Sequence, residues 1–160
     1  MSAEAVLQAC RERGWMLATA ESCTGGLVAA ALTAIPGSSD VVERGFVTYS
    51  NTAKQQMLGV RAETLQDFGA VSEQVAEQMA NGALRNAAVD IAVSITGVAG
   101  PGGTDHKPEG MVCFGLSVKG QEARTVTHQF GAIGRENVRH SAVVVALDML
   151  LQAATRNPAM

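Results

Sequence analysis

At 160 residues, 47% hydrophobic and 17% charged, the chain reads as globular rather than disordered and is long enough for a substantial core. Its net charge of -3 argues against a surface that coats nucleic acid, which needs a basic excess, and leaves room for a local phosphate pocket. Cys10, Cys23 and Cys113 contain no CxxC pair, and His106, His128 and His140 have no ligand spacing, so neither a disulfide framework nor a zinc site is suggested.

Met1-Ser2-Ala3-Glu4-Ala5 lacks the basic-then-apolar order of a signal peptide. Residues 3–13 read as a helix with Val6, Leu7 and Cys10 on one side. A first strand is expected near 15–20, then the polar turn Glu21-Ser22-Cys23-Thr24-Gly25-Gly26. A helix from Thr24 to about Ala34 follows, ended by Pro36-Gly37-Ser38-Ser39. A second strand runs near Val42 to Tyr49. Ser50 or Asn51 then caps a short helix that carries Lys54 and Met57 and closes at Gly59.

Gly69-Ala70-Val71-Ser72 reads as a turn and helix start, with Ser72 as N-cap and Val75, Met79 and Ala83 as the apolar stripe. Ile91 to Ile95 is the clearest strand, followed by the glycine-dense loop Thr96 to Gly103, which runs on to Gly110. Met111 to Val118 and Thr125 to Phe130 look like an antiparallel hairpin. A helix from Arg135 to Ala154 closes the chain. Its apolar run, Ala142 to Leu151, is too short to span a bilayer and contains Asp148. The expectation is one domain over residues 1–160, cytoplasmic, with neither nucleic acid nor membrane as partner.

Strands alternating with helices predict a three-layer α/β/α sandwich with a mixed, mainly parallel sheet. Sites in such sheets lie beyond the carboxyl ends of the strands. Three tails carry chemistry there: Glu21 to Thr24, Tyr49-Ser50-Asn51 with Lys54, and Thr96-Gly97. If their strands are parallel, the tails meet on one rim.

Ser22 is either a nucleophile at a strand-to-helix elbow or an N-cap. Thr24 offers a second cap that would leave Ser22 free. Cys23 is either a rival nucleophile with a pKa lowered by the helix end or a buried packing residue. Gly25 and Gly26 suit a close backbone approach to a ligand. Lys54 is either a solvated lysine or, if desolvated, a base that Tyr49 could orient. The Thr96 to Gly103 loop, with Gly97 and Gly100, has neither the Walker A ending nor the GxGxxG pattern, but its amides could form an anion nest. Arg135 and Arg139 share a helix face and oppose the dipole there, which favours an anionic partner, Glu136 or a ligand phosphate. Asp105, His106 and Glu109 read as loop surface.

AESCTGG, GxVTYSNxxK from Gly45 to Lys54, GAVSE from Gly69 to Glu73, SITGVAGPGG and KPEG together resemble the CinA C-terminal family, in its stand-alone form. The characterised activity of that family is hydrolysis of the carboxamide of nicotinamide mononucleotide (NMN). The resemblance implies a serine amidohydrolase with Ser22 as nucleophile and Lys54 as base, assisted by Tyr49. It implies a pocket lined by segments holding Thr24, Gly25, Gly26, Ser50, Asn51, Thr96, Gly97, Gly100, Arg135 and Arg139. NMN is the implied small-molecule partner, with a homo-oligomer as the assembly and no cofactor or metal required by the chemistry. Glu109 departs from the family's usual valine in KPVG. The competing readings are a nucleotide-binding module without turnover and a thiol hydrolase using Cys23.

Overall fold

The protein's structure, a computed structural model, describes residues 3–156. Met1 and Ser2 of the signal-peptide reading, and residues 157–160, lie outside the described residues. The elements are α1 (Ala3–Arg13), β1 (Leu17–Glu21), α2 (Leu27–Thr33), a 3-10 turn (Ser38–Asp40), β2 (Val42–Val47), α3 (Asn51–Leu58), α4 (Ala62–Phe68), α5 (Glu73–Ala87), β3 (Ile91–Gly97), β4 (Met111–Val118), β5 (Arg124–Gln129) and α6 (Arg135–Thr155). No helix among the described residues is long and apolar enough to cross a membrane.

The sheet order is β2-β1-β3-β4-β5. β1 pairs parallel with both β2 and β3, while β4 pairs antiparallel with β3 and β5. So β4 alone runs against the other four strands. Leu17, Ile91, Val93, Ile95 and Phe114 pack one face of the sheet against α1, α2 and α6. Ala18, Ala20, Phe46 and Ala92 pack the other against α5, on which α3 and α4 lie. The result is the α/β/α sandwich with a mixed sheet. β1 and β3 are covered on both faces, which is why they read as apolar runs rather than alternating ones.

Two departures from the sequence reading bear on the site. The helix expected from Thr24 begins only at Leu27, because Gly25 (φ 57°) and Gly26 (φ 108°) sit in the left-handed region and carry a turn instead. The segment between Gly59 and Gly69, not assigned above, holds α4, which is short and buries only Thr64. Its N-cap, Arg61, makes no side-chain capping bond, so the usual start signal is missing.

Candidate active site

In the parallel half of the sheet Glu21 lies opposite Val47 on one side and Ile95 on the other. Pairing continues just past the strand ends, with Thr48 N–H donating to Glu21 O at 2.9 Å and Ser22 N–H to Ile95 O at 3.0 Å. This brings the three tails to one rim.

Ser50 caps α3 by accepting the Ala53 N–H at 3.0 Å, and the helix then turns Lys54 inward. Lys54 is 1% exposed, and its Nζ lies 3.1 Å from Ser22 Oγ, 3.0 Å from Thr48 O and 3.2 Å from Tyr49 O. Among the described residues it forms no ion pair. Burial therefore lowers its pKa from the ordinary lysine value.

Neither Ser22 nor Thr24 caps α2. Glu21 does that work from the end of β1: one carboxylate oxygen accepts from Thr24 Oγ1 (2.6 Å), Gly26 N (3.2 Å) and Val28 N (3.0 Å), and the other from Ala29 N (3.0 Å). Ser22 is left with its hydroxyl on Lys54. Cys23 is buried in the core behind the turn, and burial pushes its thiol up to about 11.

The arginines find neutral partners rather than Glu136. Arg139 donates from Nε to Cys23 O (3.0 Å) and from Nη2 to Thr24 O (3.3 Å), gripping the turn after Ser22 from α6. Arg135 donates to Gly100 O (2.7 Å) and to the Tyr49 hydroxyl (3.0 Å), tying the glycine loop to the tail of β2. Tyr49 thus meets Lys54 through its backbone carbonyl, while its side chain is exposed. Thr96 donates to Ala70 O at 2.8 Å. Asn51 starts α3, and its carbonyl accepts from Gln55 Nε2.

The glycines of the third tail divide by function. Gly97 is pinned in the sheet: a Cβ there would lie 2.7 Å from Val112 Cγ2 and 3.0 Å from Met111 O. Gly102 gives its N–H to Glu109 Oε1 at 2.7 Å, so Glu109 is part of the loop's bonding rather than free loop surface. A Cβ at Gly100 would fall 2.7 Å from the same carboxylate. Asp105 and His106 are exposed. Among the described residues no three His, Cys, Asp or Glu side chains converge as a metal-ligating group.

Sequence reasoning missed Glu21 as the template of the turn. The signal was there: a lone carboxylate closing the apolar strand Leu17 to Glu21, immediately before a turn whose amides need acceptors.

The profile of the CinA C-terminal domain matches residues 1–154. The chain belongs to the CinA C-terminal domain family. It is 52% identical to the nicotinamide-nucleotide amidohydrolase PncC of Escherichia coli K12, over 96% of this chain and 93% of that protein. It is 53% identical to a CinA-like protein of Syntrophobacter fumaroxidans over 91% of its own length, but spans only 34% of that relative. Among solved structures, the competence/damage inducible protein CihA from Agrobacterium tumefaciens superposes with a TM-score of 0.92 at 48% identity, covering 96% of this chain and 93% of the other. Membership in the CinA family agrees with the mixed α/β/α sandwich described above.

Proposed function

We propose that the chain is a nicotinamide-nucleotide amidohydrolase that converts NMN and water to nicotinic acid mononucleotide and ammonia, with Ser22 as nucleophile and Lys54 as base. The observation that carries the reading is the set of three oxygens around Lys54 Nζ. The carbonyls of Thr48 and Tyr49 can only accept, so they take two N–H bonds. In the neutral amine the remaining direction, toward Ser22 Oγ, holds the lone pair. Ser22 then donates its proton to Lys54, and its oxygen is activated for attack.

The reaction follows in two halves. Ser22 Oγ bonds the amide carbon as its proton passes to Lys54 Nζ, and the carbonyl electron pair moves onto oxygen. Collapse breaks the C–N bond, and protonated Lys54 returns the proton to the departing nitrogen, which leaves as ammonia. Water, deprotonated by Lys54, attacks the acyl carbon; the bond to Ser22 Oγ breaks, Lys54 returns the proton to that oxygen, and the carboxylic acid is released. Arg135, exposed and bonded only to neutral acceptors, is the arginine free to meet the substrate phosphate. Arg139 is committed to the nucleophile turn, so its assignment to phosphate loses support.

The close relatives named amidohydrolases support the same reading. A thiol route through Cys23 is disfavoured by burial, which keeps the thiol protonated near neutral pH. Ammonia release from NMN tests the proposal. Wild type turns over, Ser22→Ala and Lys54→Ala lose activity by at least ~100-fold, and Cys23→Ala loses far less. Full turnover by Ser22→Ala would falsify the dyad; NMN binding without ammonia release would favour a binding module.

A further inference from the structure

Glu21 is 0% exposed and carries a carboxylate into the interior, where its hydrogen-bond donors among the described residues include no cation. A buried charge of this kind persists only when its hydrogen bonds are complete, and here four donors surround two oxygens. The chemistry proposed above makes no use of it, yet every one of those donors belongs to the residues just after Ser22.

What Glu21 takes is as informative as what it leaves. It absorbs the amides of Gly26, Val28 and Ala29. Gly25 N–H is spent on Ser22 O at 3.0 Å, and Leu27 N–H on Thr24 O at 3.0 Å. The N–H of Cys23 remains, bonded to no residue but its own thiol, and so does that of Thr24, which is wholly buried.

Their directions are set from the opposite side. In a trans peptide the N–H points away from the C=O of the same plane. The Ser22 carbonyl is held by Gly25 N–H, which aims the Cys23 N–H. The Cys23 carbonyl is held by Arg139, which aims the Thr24 N–H away from α6. Glu21 and Arg139 thus clamp the turn from its two faces.

We propose that Glu21 is a positioning residue for catalysis: with Arg139 opposite, it locks the nucleophile turn so that the Cys23 N–H, the first amide after Ser22, is claimed by no other residue and binds the oxyanion that forms when Ser22 attacks. This rests on the amidohydrolase reading. A donor used only in the transition state lowers kcat and leaves substrate binding nearly intact.

The experiment compares Glu21→Gln and Arg139→Gln with wild type in kcat and KM for NMN and in inhibition by pyridine-3-boronic acid. That probe bonds Ser22 Oγ through boron as the serine proton passes to Lys54, giving a tetrahedral anion. In Glu21→Gln the side-chain amide presents N–H toward the Ala29 N–H, so the turn shifts. Both variants are expected to lower kcat and weaken the boronate by at least about tenfold, with KM changed by less than about threefold. Folding is checked by circular dichroism. If Glu21→Gln does not fold, Arg139→Gln, altered at a half-buried side chain on α6, carries the test. Folded variants with kcat within about threefold of wild type, or with boronate and NMN weakened alike, overturn the proposal alone. A rise in KM confined to Arg139→Gln returns that arginine to the substrate phosphate and also overturns it. A wild type that releases no ammonia overturns the amidohydrolase reading and the proposal together.

Discussion

Lys54 has its head group beneath the surface, bonded to two carbonyls and one hydroxyl and to no carboxylate. Neutral acceptors offset part of the cost of burying a charge, but they do not hold the proton as a carboxylate would. With Lys54 as the proposed base, the neutral amine is the active form, and activity is expected to fall as pH drops through the lowered Lys54 pKa and to reach a plateau above it. A pH profile of kcat/KM checks this, and a rate that rises on acidification would contradict it. Lys54→Arg keeps a cation and three or more donors but cannot give up its proton near neutral pH. The expected loss is at least ~100-fold at every pH between 6 and 9, measured as ammonia release. These two residues were legible as candidates, because a hydroxyl in a glycine-flanked turn and a lysine one turn into a capped helix have few structural reasons to coincide. Their pairing was implied only by the family resemblance and not by the residues themselves, since it depends on β1 and β2 being adjacent, parallel and in register.

At the scale of elements, α3 is the part that delivers Lys54, and its seat on α5 depends on one glycine. A Cβ at Gly82 would lie 1.9 Å from Leu58 O at the end of α3. Gly82→Ala must therefore push α3 outward. Overpacking of this type costs about 1–3 kcal/mol, and even an ångström of displacement separates the lysine from its serine. The variant is expected to melt several degrees lower and to lose kcat out of proportion to its folded fraction, read by thermal unfolding beside steady-state rates. A second element carries a simpler forecast. Ser72 Oγ accepts the Val75 N–H at 3.2 Å at the start of α5, and Ser72→Ala should destabilise the fold by about 1 kcal/mol in urea unfolding. The cap at Ser72 was readable because serine followed by glutamate before an apolar stripe has a mechanism. Neither α4 nor the late start of α2 was readable: the first lacks a capping side chain, and the second turns on two glycines of positive φ, one of which gives its N–H to the Glu21 carboxylate.

For the molecule as a whole, the sheet shows how a net acidic chain could offer the anionic nucleotide proposed above a cationic rim. Parallel β1, β2 and β3 end on one rim, and α6 crosses it with Arg135 and Arg139. Composition excluded a basic surface; the spacing of Arg135 and Arg139 placed two cations on one helix face, and the topology sets that face at the rim. Because the folded state lowers the Lys54 pKa, the unfolded chain binds more protons between that value and the ordinary lysine range. Stability from this group therefore rises with pH across that window, and Lys54→Met should flatten the slope in unfolding measured from pH 7 to 10. A binding site for NMN also predicts that Ser22→Ala, which leaves the pocket but not the chemistry, is stabilised by about 2.7 kcal/mol when NMN is present at 100 times its Kd. The measurement that tests the central claim most directly is acid quenching of wild type during turnover of NMN, followed by peptide mapping. The expected result is an acyl group derived from NMN on the peptide at Ser22, missing from Ser22→Ala, which has also lost ammonia release. An acyl group on Cys23, or undiminished turnover by Ser22→Ala, would contradict it.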